Sequence, residues 1–160
     1  MALPPSKRWH TREDSGLVLD RQGRWFHDGE PVEHPKIIEA FNTGLKPAGG
    51  GRFKLEFGGD WALVAVEDAA YQVLDVADSD KGLVLALSDR TEEGLDPNTL
   101  EVDADGVLTC RVKAGEAKAR FSREAQVKLG LRLEVEENAV WLWTRSGRAR
   151  VSLEAAQLGT

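Results

Sequence analysis

The chain has 160 residues with 27 acidic and 21 basic side chains, so its formal net charge is −6. This length predicts one domain or two small halves that share a core, and the hydrophobic fraction of 41% is that of a soluble globular protein. Because proteins that bind bulk nucleic acid depend on clustered lysine and arginine, the acidic balance argues against that class of partner.

The cysteine content and the hydropathy pattern indicate a cytoplasmic protein. Cys110 is the single cysteine, which excludes a disulfide within the chain and a zinc site built from cysteines. It falls in an alternating segment, where we expect a buried and inert thiol. The N-terminus lacks the apolar core of a signal peptide, and no stretch approaches the roughly 20 apolar residues that span a bilayer. We therefore expect no membrane partner.

In chain order, a polar tail (1–16) precedes an N-terminal half (17–90). The segments GLVLD and RWFH flank Arg21-Gln22-Gly23 and predict a hairpin. Pro35 suits the first turn of a helix, and Gly44 is the expected end of that helix. The alternating RFKLEF, the turn at Gly58-Gly59 and the segment WALVAV predict a second hairpin. YQVLDV and GLVLAL continue as strands.

An acidic segment with glycine and proline (91–98) is the expected joint to a C-terminal half (99–154), which a short tail (155–160) follows. VLTCRV and EAKARF predict a hairpin that turns at Ala114-Gly115. Ser122 is a good helix N-cap, and Gly130 is expected to end that helix. Two or three strands close the chain, with a turn near Glu137-Asn138.

A β-hairpin/helix/β-hairpin pattern occurs twice, from about Arg24 to Val66 and from about Leu108 to Trp143. Each copy has short strands around one short helix, and turn residues separate the strands. The sequence therefore predicts a β-rich α+β fold built from two duplicated units.

The run GRWFHDGEPVEHPKIIEAF and the later segment VEDAAY resemble a bacterial family catalogued as domain of unknown function 1285. The resemblance covers about residues 17–135 and rests on the order of the motifs. The matching positions are Trp25, Phe26, His27, Gly29, Pro31, Val32, Val66, Glu67, Asp68 and Ala69, and, in the second half, Glu116, Ala119 and Arg120. Ala70 stands where the family pattern has proline and Tyr71 where it has phenylalanine, and the C-terminal end is simpler.

The resemblance implies a duplicated α+β fold whose second half is superficially like a pleckstrin-homology domain. It also implies a ligand site where the two halves meet, for a nucleotide-like molecule in signalling. It supplies no reaction, because no activity is established for the family.

Six residues are the candidate ligand contacts, namely Arg24, Trp25, His27, Glu67, Asp68 and Arg120. The two arginines and His27 come from elements predicted near the junction of the halves, and convergent polar groups are typical of small-molecule sites. Neighbouring strand residues point to opposite faces, so Glu67 and Asp68 do not form a close pair, and Asp68 is expected to cap backbone N–H groups. Trp25 fits either the core or a stacking platform.

We expect a non-enzymatic module that binds a small anionic or nucleotide-like ligand between its halves. One alternative is a protein–protein interaction module that uses sheet edges. Another is an enzyme with His27 as general base beside Asp28, although no nucleophile lies in a recognisable motif. The three histidines lack metal-ligand spacing, and Gly49-Gly50-Gly51 fits a connector better than a phosphate loop. We expect no catalytic residue, metal or cofactor, and the oligomeric state stays open.

Overall fold

The computed structural model describes residues 14–158, which fold mainly into β-strands. The chain divides between Tyr71 and Gln72 into two compact units. Most of the predicted polar tail (1–16) and residues 159–160 lie outside the described part. No helix within residues 14–158 is long and apolar enough to cross a membrane.

A six-stranded sheet and one helix form the first unit. The elements are β1 (Leu17–Leu19), β2 (Trp25–His27), β3 (Glu30–Pro31), α1 (Pro35–Gly44), β4 (Leu45–Gly49), β5 (Arg52–Phe57) and β6 (Asp60–Val66). The strands follow the order β3-β2-β1-β6-β5-β4. β1 and β6 are parallel neighbours, and the other pairs are antiparallel.

Local signals determine where α1 begins and ends. His34 caps the helix, because its Nδ1 accepts a hydrogen bond from the Lys36 N–H at 3.2 Å, and Pro35 occupies the first turn. Gly44 is the last helical residue, and a Cβ at this position would lie 2.3 Å from the Glu56 carbonyl oxygen. The glycine therefore also allows the helix end to approach β5 closely.

Aromatic contacts organise the core of the first unit. The Phe41 ring lies edge-on to Trp25 and Phe57, at centroid distances of 5.2 and 6.0 Å. The Tyr71 hydroxyl donates a hydrogen bond to the Leu45 carbonyl oxygen at 2.9 Å. The buried apolar residues of this unit are Leu17, Leu19, Trp25, Phe41, Leu45, Phe53, Leu55, Ala62, Val64, Ala69, Ala70 and Tyr71.

The second unit contains another six-stranded sheet, a helix and a three-stranded sheet. The elements are β7 (Tyr71–Ser79), β8 (Gly82–Leu87), β9 (Glu92–Gly94), β10 (Glu101–Val102), β11 (Leu108–Val112), β12 (Ala117–Phe121), α2 (Arg123–Gly130), β13 (Leu133–Glu136), β14 (Ala139–Thr144) and β15 (Gly147–Glu154). The larger sheet has the order β10-β11-β12-β7-β8-β9, and the smaller has the order β13-β14-β15. Short 3-10 helices occupy Pro97–Thr99 and Ala155–Gln157. The Ser122 Oγ caps α2, as predicted, by accepting the Ala125 N–H at 3.2 Å.

The predicted duplication is confirmed, and the strand order shows its extent. In each six-stranded sheet the first and sixth strands of the copy are central neighbours, with the second and fifth outside them and the third and fourth at the edges. The residue after the sixth strand donates its N–H to the first strand in both copies, Glu67 to Leu19 at 3.0 Å and Ser122 to Val73 at 2.9 Å. The copies are therefore β1–β6 and β7–β12. From the sequence alone, residues 24–66 were matched with residues 108–143, because the segment around α2 also contains a hairpin, a helix and another hairpin in that order.

The segment 91–98, expected as the joint between halves, lies inside the second unit. It contains β9, which pairs with β8 and places Glu93 opposite Leu85. It also contains the start of the Pro97–Thr99 helix. An acidic composition with glycine suits an exposed edge strand as well as a linker, so composition alone does not separate the two.

Candidate functional site

An open groove of about 200 Å³ in the first unit is the candidate functional site. Its walls come from the β4–β5 turn, from β5 and β6, and from the segment that follows β6. Within residues 14–158 the lining residues are Gly51, Arg52, Phe53, Leu63, Val64, Val66 and Asp68, all of them in the first unit. The groove therefore combines an apolar wall with one guanidinium and one carboxylate.

The turn between β4 and β5 places Arg52 at the groove. Gly50 and Gly51 have φ angles of 62° and 77°, which non-glycine residues rarely adopt, so the chain reverses tightly and Arg52 begins β5. The next residue, Phe53, lies opposite Val64 of β6 and contributes to the apolar wall. The Arg52 side chain is exposed, and it forms no ion pair with any residue in the range 14–158.

The end of β6 places Asp68. The Glu67 N–H donates to the Leu19 carbonyl oxygen, so pairing with β1 extends one residue beyond the strand. Ala69 and Ala70 are buried immediately afterwards. Asp68, between the hydrogen-bonded Glu67 and the buried Ala69, is half-buried and lines the groove, whereas the Glu67 side chain is exposed. The two neighbours thus have different surroundings, as expected for adjacent residues of extended chain.

The loop between β1 and β2 engages Arg24, a predicted ligand contact. The Asp20 carboxylate accepts hydrogen bonds from the Gln22 N–H, from the Arg24 N–H and from Arg24 Nε, the last at 2.8 Å. Burial opposes ionisation of Asp20, but these hydrogen bonds outweigh it and hold the pKa of Asp20 below its usual value. The Arg24 guanidinium therefore stabilises the β1–β2 loop through its bond to Asp20, and it does not line the groove.

Trp25 and His27 lie two residues apart on β2 but differ in exposure. Trp25 is 2% exposed and its Nε1–H donates to Asn42 Oδ1 at 2.8 Å, which makes it part of the core. The His27 side chain is 41% exposed, and its Nε2 lies 3.7 Å from Asp28 Oδ2. This separation exceeds hydrogen-bond length. The general-base hypothesis for His27 stays a prediction.

Arg120, the remaining predicted contact, belongs to the second unit. It is half-buried on β12, opposite Thr109 of β11. Among the six predicted contacts, Asp68 is the one that lines the groove within the described residues. Sequence reasoning missed Arg52, whose signal is a cation placed directly after a glycine turn and at the start of a strongly alternating strand.

The described part of the chain offers no cluster of three or more histidine, cysteine or acidic side chains that could hold a metal ion. Of the described residues that line the groove, one, Asp68, carries a carboxylate that could contact a metal ion. The side chains of the groove are suited to direct recognition of a small molecule through hydrogen bonds, charge and apolar contact.

Comparisons with known proteins bear on the fold. No family model and no curated protein matches the chain. A crystal structure of a DUF1285 family protein from Silicibacter pomeroyi DSS-3 is similar, with 22% identity and a TM-score of 0.69, covering 97% of this chain and 90% of that one. A DUF1285 family protein from Shewanella baltica OS155 has 17% identity and a TM-score of 0.56, covering 72% of this chain and 91% of its own. The chain therefore has the fold of DUF1285 family proteins, as the resemblance in its sequence predicted.

Proposed function

We propose that the protein is a non-enzymatic regulatory module that binds a small organic anion in the groove of its first unit. The observation that carries this proposal is the composition of the groove, in which Arg52 and Asp68 accompany an apolar wall. Small-molecule sites are typically concave and apolar, with a few polar groups that orient the ligand.

The two charged side chains define the ligand chemistry. A guanidinium matches carboxylate and phosphate groups, because its N–H donors can form two parallel hydrogen bonds to one anion. The Asp68 carboxylate accepts hydrogen bonds, so it favours a ligand that also carries a hydroxyl or ammonium group. Phe53 and Val64 favour a short apolar portion. A hydroxy acid or an amino acid combines these features.

The volume of the groove favours a small ligand over a nucleotide. Sites for drug-sized molecules enclose about 300–1,000 Å³. The groove has about 200 Å³. A nucleotide would therefore extend beyond it, whereas a short organic acid matches its size.

The difference between the two copies supports a specific role for this groove. After its sixth strand, the second copy continues at Ser122 into α2, which buries Ala125 and Leu129. After its sixth strand, the first copy continues through Asp68 along an open groove. The duplicated framework has thus kept the strand order and changed the segment that follows it.

The composition of the groove also favours binding over catalysis. Among the residues of the range 14–158 that line it, none is a serine, threonine, cysteine or histidine. Among these residues Asp68 is therefore the one side chain that could act as a general base or nucleophile, without a second such group beside it to relay a proton.

Titration of the full chain tests the proposal. Amide chemical shifts are followed by NMR as lactate, alanine, inorganic phosphate or AMP is added to about 10 mM, a range that detects millimolar dissociation constants. We expect saturable shifts at Gly51 and Val66 with lactate or alanine, and weaker ones with phosphate or AMP.

A matched pair of variants links binding to the groove. Arg52→Ala should weaken binding of the organic acid at least tenfold, because it removes the charge-assisted hydrogen bonds. Lys46→Ala removes the same charge from exposed β4 and should leave binding unchanged. The proposal fails if no anion shifts the groove residues, or if the two variants lose affinity equally.

A further inference from the structure

The edge of the three-stranded sheet is a second candidate for recognition, independent of the groove. The sheet β13-β14-β15 follows the second copy and has no counterpart between β6 and β7. Within residues 14–158, β13 pairs with β14 alone and is therefore an edge strand. Glu134, Val135 and Glu136 on this strand are all exposed.

The hairpin register shows which backbone groups of β13 face outward. Glu137 and Asn138 have φ angles of 52° and 68°, typical of a two-residue turn that closes on a hydrogen-bonded pair. That pair is Glu136 with Ala139, and hydrogen-bonded pairs recur at every second residue of an antiparallel ladder. The N–H and C=O groups of Val135 therefore point away from β14, and those of Leu133 do the same.

The side chains of the same strand have opposite characters on its two faces. Glu134 accepts the Trp143 Nε1–H at 2.7 Å, and Glu136 pairs with Arg148 at 2.7 Å. The Arg148 guanidinium also lies 4.2 Å from the Trp141 ring centroid. These contacts hold both carboxylates on one face of the edge. On the other face, Val135 is 51% exposed.

This pattern disfavours pairing with a second copy of the chain. An antiparallel pair of two β13 strands would bring two carboxylates from each strand together across the new ladder, and in each chain the single Arg148 guanidinium lies beside both of them, at 2.7 Å from Glu136 and 3.8 Å from Glu134, so that each strand keeps an excess of negative charge. Like charges directly opposite one another destabilise a strand pair, and charged edges are a common protection against self-association. A strand with basic residues at alternate positions would face opposite charges instead.

We propose that β13 accepts an extended segment of a partner protein in which basic and apolar residues alternate. The segment adds a strand to the sheet, with hydrogen bonds to the outward groups of Leu133 and Val135. Its basic side chains lie beside Glu134 and Glu136, and its apolar side chains contact Val135.

Synthetic peptides test this edge on the full chain. An eight-residue peptide of alternating lysine and valine should shift the amide signals of Leu133 and Val135 in NMR titrations at low salt. Raising the ionic strength should weaken binding, because exposed charges are screened. A peptide of alternating glutamate and valine should not bind. Absence of binding by the lysine peptide, or equal binding by both peptides, would overturn the proposal.

Backbone methylation of the peptide separates strand addition from general charge attraction. In an antiparallel complex the peptide valines face Val135 and exchange hydrogen bonds with it, whereas the lysine N–H groups point outward. Methylating the valine nitrogens should weaken binding about tenfold, since two hydrogen bonds are lost, while methylating the lysine nitrogens should have little effect. Equal effects of the two methylations would show attraction by charge alone.

A variant of the protein supplies the reciprocal measurement. Val135→Pro removes an N–H that faces away from β14, so the hairpin should persist while peptide binding is lost. Val135→Thr is the control and should retain binding. A dimer of the wild-type chain that Val135→Pro dissociates would overturn the proposal in favour of a second copy.

Discussion

Replacement of Asp89 by alanine is the sharpest test of what stabilises the second unit. The Asp89 side chain is 1% exposed and follows β8. Its carboxylate accepts hydrogen bonds from Lys113 Nζ at 2.6 Å, from Thr91 Oγ1 at 2.5 Å and from the Thr91 N–H at 3.1 Å. The side chains of Asp89, Thr91 and Lys113 thereby connect the β8–β9 turn with the turn between β11 and β12.

The geometry sets the expected loss of stability. Removing one member of a buried ion pair costs about 3–5 kcal/mol, because the other charge is left without compensation. The Lys113 side chain is 19% exposed and keeps its bond to Thr91, so the cost should fall near the lower end, about 3 kcal/mol. For a chain of this size, that corresponds to a fall in Tm of about 6–12 °C.

Urea denaturation followed by circular dichroism measures this loss. Asp80→Ala is the control, because the Asp80 side chain is 91% exposed and its removal should change stability by less than about 0.5 kcal/mol. Adding Lys113→Met to Asp89→Ala should recover part of the loss, since no buried ammonium remains. The reasoning is refuted if Asp89→Ala costs less than about 1 kcal/mol, or if the two substitutions are additive.

The pH dependence gives a second measurement on the same residue. Burial opposes ionisation of Asp89, but hydrogen bonds from Lys113 and Thr91 outweigh it and hold the pKa of Asp89 below its usual value. The folded state therefore keeps the carboxylate ionised to lower pH than the unfolded state does. This stabilisation is present above about pH 4 and is lost as the pH falls through the folded pKa. The stability difference between the wild-type chain and Asp89→Ala should shrink in acid.

Three further predictions concern single contacts. Trp25→Phe should lower the free energy of unfolding by about 1–3 kcal/mol in urea denaturation, because it leaves Asn42 without its indole donor. Asn42→Ala should then lower it less in the Trp25→Phe background than in the wild-type chain. Ser122→Ala should cost about 1 kcal/mol through loss of the α2 cap, and Ser122→Gly only a few tenths. Burial, with a contribution from Glu93, raises the pKa of Cys110 to about 12, so a thiol reagent at pH 8 should label the denatured chain and spare the folded one.

Local features of the fold could be predicted from the sequence because a few neighbouring residues determine them. Pro35 and Ser122 mark the starts of the two helices as expected. The predicted turns at Gly58-Gly59, Ala114-Gly115 and Glu137-Asn138 all contain consecutive residues with positive φ. Such signals do not report which strands become neighbours. The parallel pairing of β1 with β6, which sets the extent of the duplicated unit, joins distant parts of the chain.

Only part of the candidate site could be predicted from the sequence. Asp68 belongs to the VEDAAY segment and follows the end of β6, and both features can be recognised from a few neighbouring residues. Arg52 lines the groove because a glycine turn and the register of Phe53 with Val64 bring it there, and alternation alone does not specify that register. Tyr71 departs from the phenylalanine of the family pattern, and its buried hydroxyl bonds to the Leu45 carbonyl oxygen. The added polar group therefore has a partner in the core.

The two copies agree where strand pairing constrains them and differ where the chain leaves the sixth strand. Glu67 and Ser122 make equivalent backbone hydrogen bonds to the first strand, although their side chains have nothing in common. Backbone pairing tolerates such exchange, because the N–H is the same in both residues. Beyond this point the first copy has Asp68 and an open groove, whereas the second has α2 and an additional sheet with an acidic edge. The organic-anion groove and the β13 edge are therefore separate hypotheses, and each can fail without the other.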